Sequence, residues 1–492
     1  MSDMLNWLRG HAGVVQGNFI GGEWRTPKQN RSKIYNPGLR DQCLGEFTDS
    51  DENDVDEAVC SAHEAWLSWR NVPGPDRGAI LFRAADLLEQ RLDEIAFVLA
   101  AEQGKVLSEA RGEVSRAAKE MRFCAGEASR IDGDVLPSEK RNGLAMTMRE
   151  PIGVVAAIGP WNFPVVTPVR KIAPALAYGC SVVLKPSNLT PWSATKLMDV
   201  FKDAGVPNGV VSLVFGSGRI VGEALIRHKL IKGVSFTGST GVGATINTEA
   251  SKSFVRTQLE LGGKNAAVIF DYASAEVLAK QISAAAFQCT GQRCTAISRI
   301  VVLKDRADEI TEAIQAELAA IKVGPAWEAG ATMGPMITAD QKSSVMKYID
   351  IGKNEGAKLA FGGSSLESGE LTQGHFVEPT LFTDVTPGSR LALEEMFGPV
   401  LSVIKVSSID EAFNVANEVD YGLAASVYTR DVDLALRFTR ESQTGMVHVN
   451  HGTASEAHMP FGGVKASGFG AYSIGHSNQD FFTTMKSVYF QG

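Results

Sequence analysis

The strongest constraint on the fold is a regular alternation of short β-branched runs with helical stretches, which begins at Pro151. Strands that alternate with helices in this way form βαβ units, which assemble into a parallel sheet covered by helices. The predicted strands are Val154–Ile158, Ser181–Leu184, Val210–Phe215 and Gly233–Phe236. A further strand, Gln258–Gly263, is predicted to lead out of the domain. This series indicates a nucleotide-binding α/β domain.

A second alternating series covers residues 266–449 and predicts a second α/β domain of similar size. Ahead of both series, Phe19–Trp24 is predicted to be a hairpin, because its Gly-Gly turn supplies the positive φ angles that such turns need. Two helices are predicted to follow, one capped by Asp51 and one over Ile80–Leu99.

Composition excludes several classes of function. The chain has 492 residues, enough for two to four domains, and a net charge of −8 without a basic block, so no nucleic-acid partner is predicted. Its longest apolar run, Ile152–Ile158, is far shorter than the ~20 residues that cross a bilayer. Met1–Met4 shows no secretory leader. Six cysteines without CxxC spacing indicate reduced thiols, no metal site and a cytoplasmic location.

A glycine-rich turn, Phe236–Gly243, lies at a strand-to-helix junction, where backbone N–H groups and the helix N-terminus favour a phosphate. Gly238, Ser239 and Gly243 are its candidate cofactor-binding residues. The spacing is GxxGxG and not the GxGxxG of the Rossmann fingerprint, so a tight turn with close helix packing is the alternative. Rossmann-like spacing would assign Glu260, about twenty residues on, to an adenosine ribose.

Cys294 follows Gly291 and Arg293, a setting in which positive charge would favour the nucleophilic thiolate. A buried structural cysteine is the alternative interpretation. A catalytic cysteine often has a histidine base, and three histidines occur in one C-terminal stretch, so a papain-like hydrolase is a rival hypothesis. These histidines are His448, His451 and His458.

Five segments, taken together, distinguish among these functional hypotheses. They are PWNFP (160–164), LELGGK (259–264), GQRC (291–294), EMFGP (395–399) and PFGG (460–463). In this order and with these intervals they closely resemble the NAD(P)-dependent aldehyde dehydrogenase superfamily, and the resemblance covers essentially the whole chain.

The resemblance implies an α/β aldehyde dehydrogenase fold with three parts. A Rossmann-like cofactor domain would comprise residues 1–130 and 150–258, and an α/β catalytic domain residues 259–472. A small β oligomerisation arm, residues 131–149 and 473–492, would build a homodimer or homotetramer. Its C-terminal strand, Asp480–Phe490, would extend a neighbour's sheet.

The resemblance also implies a mechanism. The Cys294 thiolate would attack the aldehyde, while the Asn162 amide and the Cys294 backbone N–H would bind the oxyanion of the thiohemiacetal. Hydride would pass to the nicotinamide, and Glu260 would then deprotonate the water that hydrolyses the thioester, for which an apolar pocket would suit this carboxylate. Lys171 resembles a lysine that relays protons, with a solvated helix lysine as the alternative. The presence of Glu260 favours a free acid over a coenzyme A ester.

The same resemblance assigns cofactor contacts. Glu395 would bind the nicotinamide ribose, Phe397 would pack near the nicotinamide, Ser239 and Trp161 would lie beside the pyrophosphate, and Lys185 would reach the adenosine ribose. In the segment that contains Ser187, Asn188 stands where NAD-preferring members often have a glutamate. Neutral Asn188 beside cationic Lys185 would not repel a 2′-phosphate, so NADP is predicted to be accepted, alongside NAD.

Substrate residues follow from a likeness to succinate-semialdehyde dehydrogenases. Arg170 and Ser455 match their carboxylate-binding positions, Gln288 stands where some of them have a second arginine, and Phe163 is assigned to the same pocket. A small carboxylate-bearing aldehyde, such as succinate or 2-oxoglutarate semialdehyde, is the favoured substrate.

Three alternatives remain open. If Arg170 is structural, the enzyme would oxidise a broad range of aliphatic or aromatic aldehydes. A catalytically silent protein of the same fold would not require Cys294, Glu260 and Asn162 together. Cys289 is either a structural helix cysteine or a partner that protects Cys294 in a disulfide or sulfenamide-type state under oxidation.

Overall fold

The computed structural model describes residue 10 and residues 13–492, and the predicted absence of a leader at Met1–Met4 lies outside the described residues. Two large α/β sheets and three smaller sheets contain the strands.

The strands are β1 (Val15–Gln16), β2 (Phe19–Ile20), β3 (Glu23–Trp24), β4 (Arg31–Asn36), β5 (Leu39–Thr48), β6 (Val135–Pro137), β7 (Gly143–Pro151), β8 (Val154–Ile158), β9 (Ser181–Lys185), β10 (Val211–Leu213), β11 (Ile231–Thr237), β12 (Arg256–Glu260), β13 (Asn265–Ile269), β14 (Ile297–Leu303), β15 (Lys358–Phe361), β16 (Thr380–Thr383), β17 (Val400–Val406), β18 (Tyr421–Gly422), β19 (Ala424–Tyr428), β20 (Met446–Val449), β21 (Val464–Lys465), β22 (Gly468–Phe469) and β23 (Thr483–Gln491).

The α-helices are α1 (Glu52–Trp69), α2 (Gly74–Gln90), α3 (Leu92–Gln103), α4 (Leu107–Glu127), α5 (Val166–Ala177), α6 (Pro191–Asp203), α7 (Glu223–Arg227), α8 (Thr240–Ser251), α9 (Ala275–Phe287), α10 (Ala307–Ala319), α11 (Ala339–Asn354), α12 (Arg390–Leu393), α13 (Ile409–Asn417), α14 (Val432–Glu441) and α15 (Gln479–Phe482).

The first large sheet has the strand order β22-β12-β11-β8-β9-β10-β2-β3, with parallel pairing from β12 through β10. Every residue of β8 and β9 is buried, as expected of parallel strands covered by helices on both faces. Strand order reverses between β8 and β11, and in open α/β sheets the crevice at such a switch point is where ligands bind.

The second large sheet has the order β15-β16-β17-β14-β13-β19-β20 and is parallel except for the edge pair β15 and β16. Its core is separate from that of the first sheet and includes Val268, Val301, Phe382 and Ile404. The predicted aldehyde dehydrogenase architecture of two α/β units is therefore confirmed.

Strand β12 corrects one sequence prediction. Gln258–Gly263 was expected to lead out of the first domain, but the strand is Arg256–Glu260 and pairs in parallel with β11 along its whole length. It therefore crosses the predicted boundary at residue 258. Leu261–Lys264 then forms the crossover to the second sheet, where Gly262 and Gly263 permit the close approach of other segments.

The small sheet β23-β7-β6 is antiparallel, and β23 pairs with β7 of its own chain from Thr483 to Gln491. The predicted arm is too long at its C-terminal part, since Phe481 and Phe482 are buried in the main core, where Phe482 stacks on Tyr178. The strand predicted over Asp480–Phe490 begins only at Thr483, because α15 precedes it.

The N-terminal predictions hold in part. Strands β2 and β3 form the hairpin with positive φ at both turn glycines, and Asp51 caps α1 through the backbone N–H groups of Asn53 and Asp54. The single helix predicted over Ile80–Leu99 is instead two helices, α2 and α3, separated at Arg91. Among the described helices, none combines the length and apolar character needed to span a membrane.

Candidate active site

One cavity of about 1060 Å³ lies between the C-terminal ends of β8 and β11 and the segments that lead into β14 and β17. It brings together thirteen residues that the sequence assigned to the site. They are Trp161, Asn162, Phe163, Arg170, Lys185, Gly238, Ser239, Glu260, Gln288, Cys294, Glu395, Phe397 and Ser455. The lining does not include Lys171, Ser187, Asn188 or Gly243.

Cys294 is held by the backbone around it. Asn265 donates from Nδ2 to the Cys294 carbonyl at 2.7 Å, and a side chain at Gly263 would collide with the same carbonyl. The chain enters this segment through three consecutive left-handed residues, Cys289, Thr290 and Gly291, with φ of 54°, 59° and 66°. For the first two this conformation is strained, which indicates that the surrounding structure fixes the path to Cys294.

The electrostatics at Cys294 correct a sequence expectation. The pKa of the Cys294 thiol is raised to about 12, first by burial and then by the carboxylates of Glu260 and Glu395, while Arg170 and Arg293 oppose the rise. The positive charge expected to favour the thiolate is therefore outweighed, because desolvation and the two acids act in the opposite direction. At neutral pH the free thiol is protonated.

Asn162 faces the segment of Cys294. Its Nδ2 donates to the Gln292 carbonyl at 2.9 Å, and its backbone carbonyl accepts from the Lys105 ammonium at 2.8 Å. Lys105 is fully buried and pairs with Glu113 at 2.6 Å. The other Glu113 oxygen accepts from two backbone N–H groups at the start of α5. A buried ion pair thus fixes the loop that carries Asn162.

Glu260 ends β12 in polar and cationic surroundings. It accepts hydrogen bonds from the hydroxyls of Thr237, at 2.6 Å, and Ser473, and Arg170 and Lys171 each lie 3.8 Å from one of its oxygens. The apolar pocket expected for this carboxylate is therefore not what the structure provides. Burial lowers the pKa of Lys171 to about 8, and its ammonium also donates to Ser235 at 3.1 Å.

The other half of the cavity has the features of a dinucleotide site. Gly238 and Ser239 lie at the N-terminus of α8, which supplies backbone donors and a favourable dipole for phosphate. Lys185 donates to the Pro186 carbonyl at 2.8 Å, and burial lowers the pKa of its ammonium to about 8. These residues fit a nucleotide cofactor, since they combine phosphate-binding backbone with a buried cation.

At the inner end of this half, Trp161 and Phe397 meet edge to face with ring centroids 5.4 Å apart. Phe397 has a left-handed φ of 53°, and its carbonyl accepts from Gln341. Glu395 accepts from the Gly263 N–H at 2.9 Å, and burial raises the pKa of this carboxyl to about 7. An aromatic surface next to a carboxylate suits a nicotinamide and its ribose.

The three cofactor residues outside the cavity lining have other positions. A side chain at Gly243 would collide with Leu261, so this glycine permits close packing of α8 against the crossover. Ser187 accepts from the Leu189 N–H at 3.2 Å, and with Asn188 it occupies the half-buried turn after β9.

Arg170 is engaged within the protein. Its Nε and Nη2 donate to the two oxygens of fully buried Glu120 at 3.0 and 2.8 Å, and its guanidinium lies 4.2 Å over the Phe461 ring. Glu120 also accepts from Arg116 at 2.8 Å, and Arg116 in turn donates to the carbonyl and hydroxyl of Ser455. The predicted substrate residues Arg170 and Ser455 therefore share one network.

Gln288, the other predicted polar substrate residue, accepts a hydrogen bond from Arg293. Helix α4 supplies part of the cavity wall, with Glu109, Glu113 and Arg116 at spacings that place them along one side, and Glu120 follows one turn beyond the lining. Sequence reasoning missed Glu120 and Arg116, which lie outside the recognised segments. It also missed Ser473, whose contact with Glu260 joins residues far apart in the chain.

The histidines give no support to a papain-like site. His448 and His451 stack with centroids 5.7 Å apart, and His458 lies near Glu456. None of the three is among the residues that line the cavity with Cys294. The cavity therefore lacks the base that a cysteine hydrolase of this kind needs, as far as residues 13–492 describe it.

A separate cluster brings Asp56, Cys60 and His228 together at the surface, with one potential metal ligand atom from each within 4.8 Å of the others. His228 Nδ1 accepts from the Leu230 N–H at 3.2 Å, so the neutral ring carries its proton on Nε2, which faces Asp56 at 3.1 Å. This proton occupies the position a metal would need, and the cluster is accounted for as a hydrogen bond.

A parallel α/β sheet with a helix N-terminus suited to a phosphate, joined at one cavity to a partly buried cysteine, fits a nucleotide-dependent dehydrogenase. The model of the aldehyde dehydrogenase family matches residues 24–488. The alpha-ketoglutaric semialdehyde dehydrogenase of Bacillus subtilis is 41% identical over 474 residues, which cover 96% of this chain and 97% of that protein.

Solved structures are similar to this chain over almost its whole length. Betaine aldehyde dehydrogenase from Staphylococcus aureus, in complex with NAD+, has a TM-score of 0.96 at 31% identity, with 99% of this chain and 97% of that chain covered. An NADP-dependent enzyme of E. coli has a TM-score of 0.94 at 32% identity, with 100% and 99% covered. The chain belongs to the aldehyde dehydrogenase family. It is an NAD(P)-dependent enzyme, and its substrate is an aldehyde.

Proposed function

We propose that this enzyme oxidises a small semialdehyde that bears a carboxylate, such as 2-oxoglutarate or succinate semialdehyde, to the free acid. The observation that carries the proposal is a set of buried or partly buried arginines, Arg116, Arg170 and Arg293, on the wall of the cavity that contains Cys294; the fourth lining arginine, Arg219, is exposed. Guanidinium groups bind carboxylates, and positive charge in a cavity stabilises the ionised form of a substrate acid. The Bacillus subtilis relative, named for 2-oxoglutarate semialdehyde, supports the same substrate class.

In the proposed mechanism, Cys294 attacks the aldehyde carbon after its thiol loses a proton. The Asn162 amide, held against the Gln292 carbonyl in the free protein, turns its donor to the oxyanion, together with the Cys294 backbone N–H. Glu260 removes a proton from the water that hydrolyses the thioester. Lys171, 3.8 Å from Glu260, relays that proton in its neutral amine form, which its pKa of about 8 makes accessible. A bound NAD(P) would supply the acceptor for the hydride.

We further propose that both NAD and NADP are used. Trp161, Gly238 and Ser239 would lie along the pyrophosphate, Lys185 at the adenosine ribose, and Glu395 and Phe397 at the nicotinamide ribose and ring. Ser187 and Asn188 follow β9 directly after Lys185, and neither carries a negative charge. A 2′-phosphate would therefore meet the Lys185 cation and no acid from this turn.

A second candidate, oxidation of a broad range of aliphatic or aromatic aldehydes, is favoured by one observation. Two N–H groups of Arg170 already donate to Glu120. Phe163 and Phe461 add aromatic surface to the cavity. In that case Arg170 has a structural role and no substrate carboxylate is required.

The assembly we propose is a cytoplasmic homodimer or homotetramer formed through the sheet β23-β7-β6. Residues 131–149 with β23 would form its arm, the cofactor domain would comprise residues up to 130 and from 150 to about 260, and the catalytic domain would follow. The arm exposes apolar side chains that a partner subunit would cover, including Val135, Leu136, Leu144, Tyr489 and Phe490. Light scattering after gel filtration would give a mass of two or four chains, and a monomer would reject this part.

The deciding experiment compares succinate semialdehyde, 2-oxoglutarate semialdehyde and butanal, each with NAD and NADP, by steady-state nicotinamide reduction. Cys294→Ser serves as the inactive control. A kcat/KM for the two acids at least about tenfold above that for butanal, equivalent to ~1.4 kcal/mol, supports the semialdehyde assignment. Equal values for all three favour the broad-range candidate.

A further inference from the structure

The three arginines near Cys294 differ in their counter-charges. Arg170 and Arg116 both donate to Glu120, and Arg170 also lies 3.8 Å from Glu260. Arg293 has only 9% of its surface exposed, yet across residues 13–492 no carboxylate oxygen lies within 4 Å of its guanidinium nitrogens. It is therefore the buried cavity arginine without an ion-pair contact, and the charge of Glu109 on α4 reaches it only over a longer distance.

The groups that do contact Arg293 hold it in place without neutralising it. Its guanidinium donates to the Gln288 side-chain oxygen, to the Thr295 hydroxyl at 3.3 Å and to the Thr453 hydroxyl at 3.5 Å. Thr453 is itself fixed by a 2.6 Å hydrogen bond to the Thr295 carbonyl. An arginine remains charged at every physiological pH, and burying a charge without a counter-ion is costly.

A second buried arginine shows what a purely structural arrangement looks like in this protein. Arg299 has no carboxylate partner among the described residues either, but it makes four hydrogen bonds to the backbone carbonyls of Lys264, Val415 and Ala416. It lies outside the lining of the active-site cavity. Arg293 has longer bonds to side-chain hydroxyls and faces the cavity, where a ligand can reach it.

We infer that Arg293 binds the carboxylate of the substrate and sets the preference for acidic semialdehydes. This inference rests on the proposed function and assigns the anchor to a residue other than Arg170, whose bidentate edge is occupied by Glu120. Arg293 directly precedes Cys294, so one short molecule is held at both ends, by its carboxylate and by its aldehyde carbon. The substrate carboxylate supplies the direct ion-pair partner that Arg293 lacks among the described residues.

A different role for Arg293 must be separated from this one. Its charge opposes the rise in the pKa of the neighbouring Cys294 thiol, so its loss could slow the attack on any aldehyde. A carboxylate anchor affects acidic substrates alone, whereas an effect on the thiol reaches charged and uncharged substrates equally. The ratio of kcat/KM values for a charged and an uncharged aldehyde therefore distinguishes the two roles.

The test measures kcat/KM for 2-oxoglutarate semialdehyde and for pentanal with Arg293→Gln, Arg116→Gln and wild type. Arg430→Gln, which removes an exposed charge paired with Asp271, controls for net charge. For Arg293→Gln we expect the preference for the acid to fall at least about tenfold, chiefly through KM, with pentanal changed less than about threefold. Arg430→Gln should match wild type, and Arg116→Gln should retain most of the preference.

Three results would overturn the inference. If Arg293→Gln slows both substrates equally, the residue acts on the thiol or the fold. If the preference is lost in Arg116→Gln and kept in Arg293→Gln, the anchor is Arg116, and the proposed function stands. If wild type itself shows no preference for the acid, the proposed function and the inference fail together.

A second variant and a binding assay cover the case in which Arg293→Gln does not fold. Arg293→Lys keeps the charge but not the planar fork, and should lose at least about threefold of the preference. In the free enzyme, 2-oxoglutarate should slow alkylation of Cys294 by iodoacetamide in wild type and in Arg430→Gln, but not in Arg293→Lys at the same concentration. Equal protection in all three proteins would contradict the assignment.

Discussion

Glu120 accepts hydrogen bonds from Arg170 on both of its carboxylate oxygens, at 2.8 and 3.0 Å, although fifty positions separate the two residues in the chain. The Glu120 side chain is fully buried and that of Arg170 is 8% exposed. Removal of one partner from a buried ion pair leaves an uncompensated charge, which costs more than the pair itself contributes.

We therefore expect Glu120→Gln to destabilise the protein by about 3–5 kcal/mol. Differential scanning calorimetry at a fixed scan rate would show this as a lower Tm. Glu57→Gln, which removes a half-exposed carboxylate paired with Arg25, is the matched control and should leave the Tm nearly unchanged. Equal Tm values for the two variants would mean that Arg170 does not depend on Glu120.

The high pKa of Cys294, about 12, predicts slow and strongly pH-dependent alkylation of the free enzyme. Because the thiolate is the reactive form, the rate with iodoacetamide should rise about tenfold per pH unit from pH 7 to 9 without a plateau. Mass spectrometry of the Cys294 peptide separates this reaction from that of partly exposed Cys43 and Cys60. A plateau near pH 7 would show a thiolate already formed at rest.

Glu260→Gln should separate the two halves of the reaction. If Glu260 activates the hydrolytic water, the variant still releases one equivalent of reduced cofactor per site in a rapid burst, while steady-state turnover falls about 10²–10⁴-fold. Stopped-flow absorbance at 340 nm, the wavelength of the reduced nicotinamide, measures both phases. A variant without the burst would place Glu260 in the attack by Cys294.

The Glu395 carboxyl, with a pKa raised to about 7 by burial, should make cofactor binding pH-dependent. The raised value means that the neutral acid predominates below pH 7 and the carboxylate above it, and the carboxylate is the better acceptor for ribose hydroxyls. The Kd of NAD+ measured by fluorescence titration should fall between pH 6 and 8. In Glu395→Gln that fall should disappear, and its persistence would assign the titration to another group.

Asn188→Glu should restrict the enzyme to NAD. A carboxylate after β9 would repel a 2′-phosphate, so the ratio of kcat/KM for NADP to that for NAD should fall about tenfold or more. Asn188→Gln has the same size without the charge and should retain the wild-type ratio. A similar fall in both variants would indicate a steric effect.

The sequence predicted which functional residues share the cavity. It did not predict which groups balance their charges. Cys294, Asn162 and Glu260 belong to short segments whose order identifies the family, and all three line one cavity. The pairing of Arg170 with Glu120 depends on how α4 packs against α5. Glu120 lies on a helix outside the recognised segments, so the sequence around it does not indicate this packing. Likewise, burial reversed the expected ionisation of Cys294, because the cost of desolvation depends on the completed fold.

The strands predicted from the sequence show the same dependence on long-range contacts. The apolar runs located β8, β9 and β11, whereas the strand predicted over Gln258–Gly263 lies at Arg256–Glu260 and belongs to the first sheet. Pairing with β11 decides its membership, and pairing is a long-range property.

The crossover from β12 to β13 tolerates substitution less well than the cavity-lining side of helix α4 does. At Gly262 and Gly263 a single added methyl would displace Glu395 or the Cys294 carbonyl, so both halves of the chemistry are damaged at once. The atoms nearest to such a methyl include none from α4, although α4 lines the same cavity. A lineage that keeps Glu113 and Glu120 can therefore acquire new aldehydes by substitutions at the other cavity-lining positions of α4 while the reaction itself is inherited unchanged.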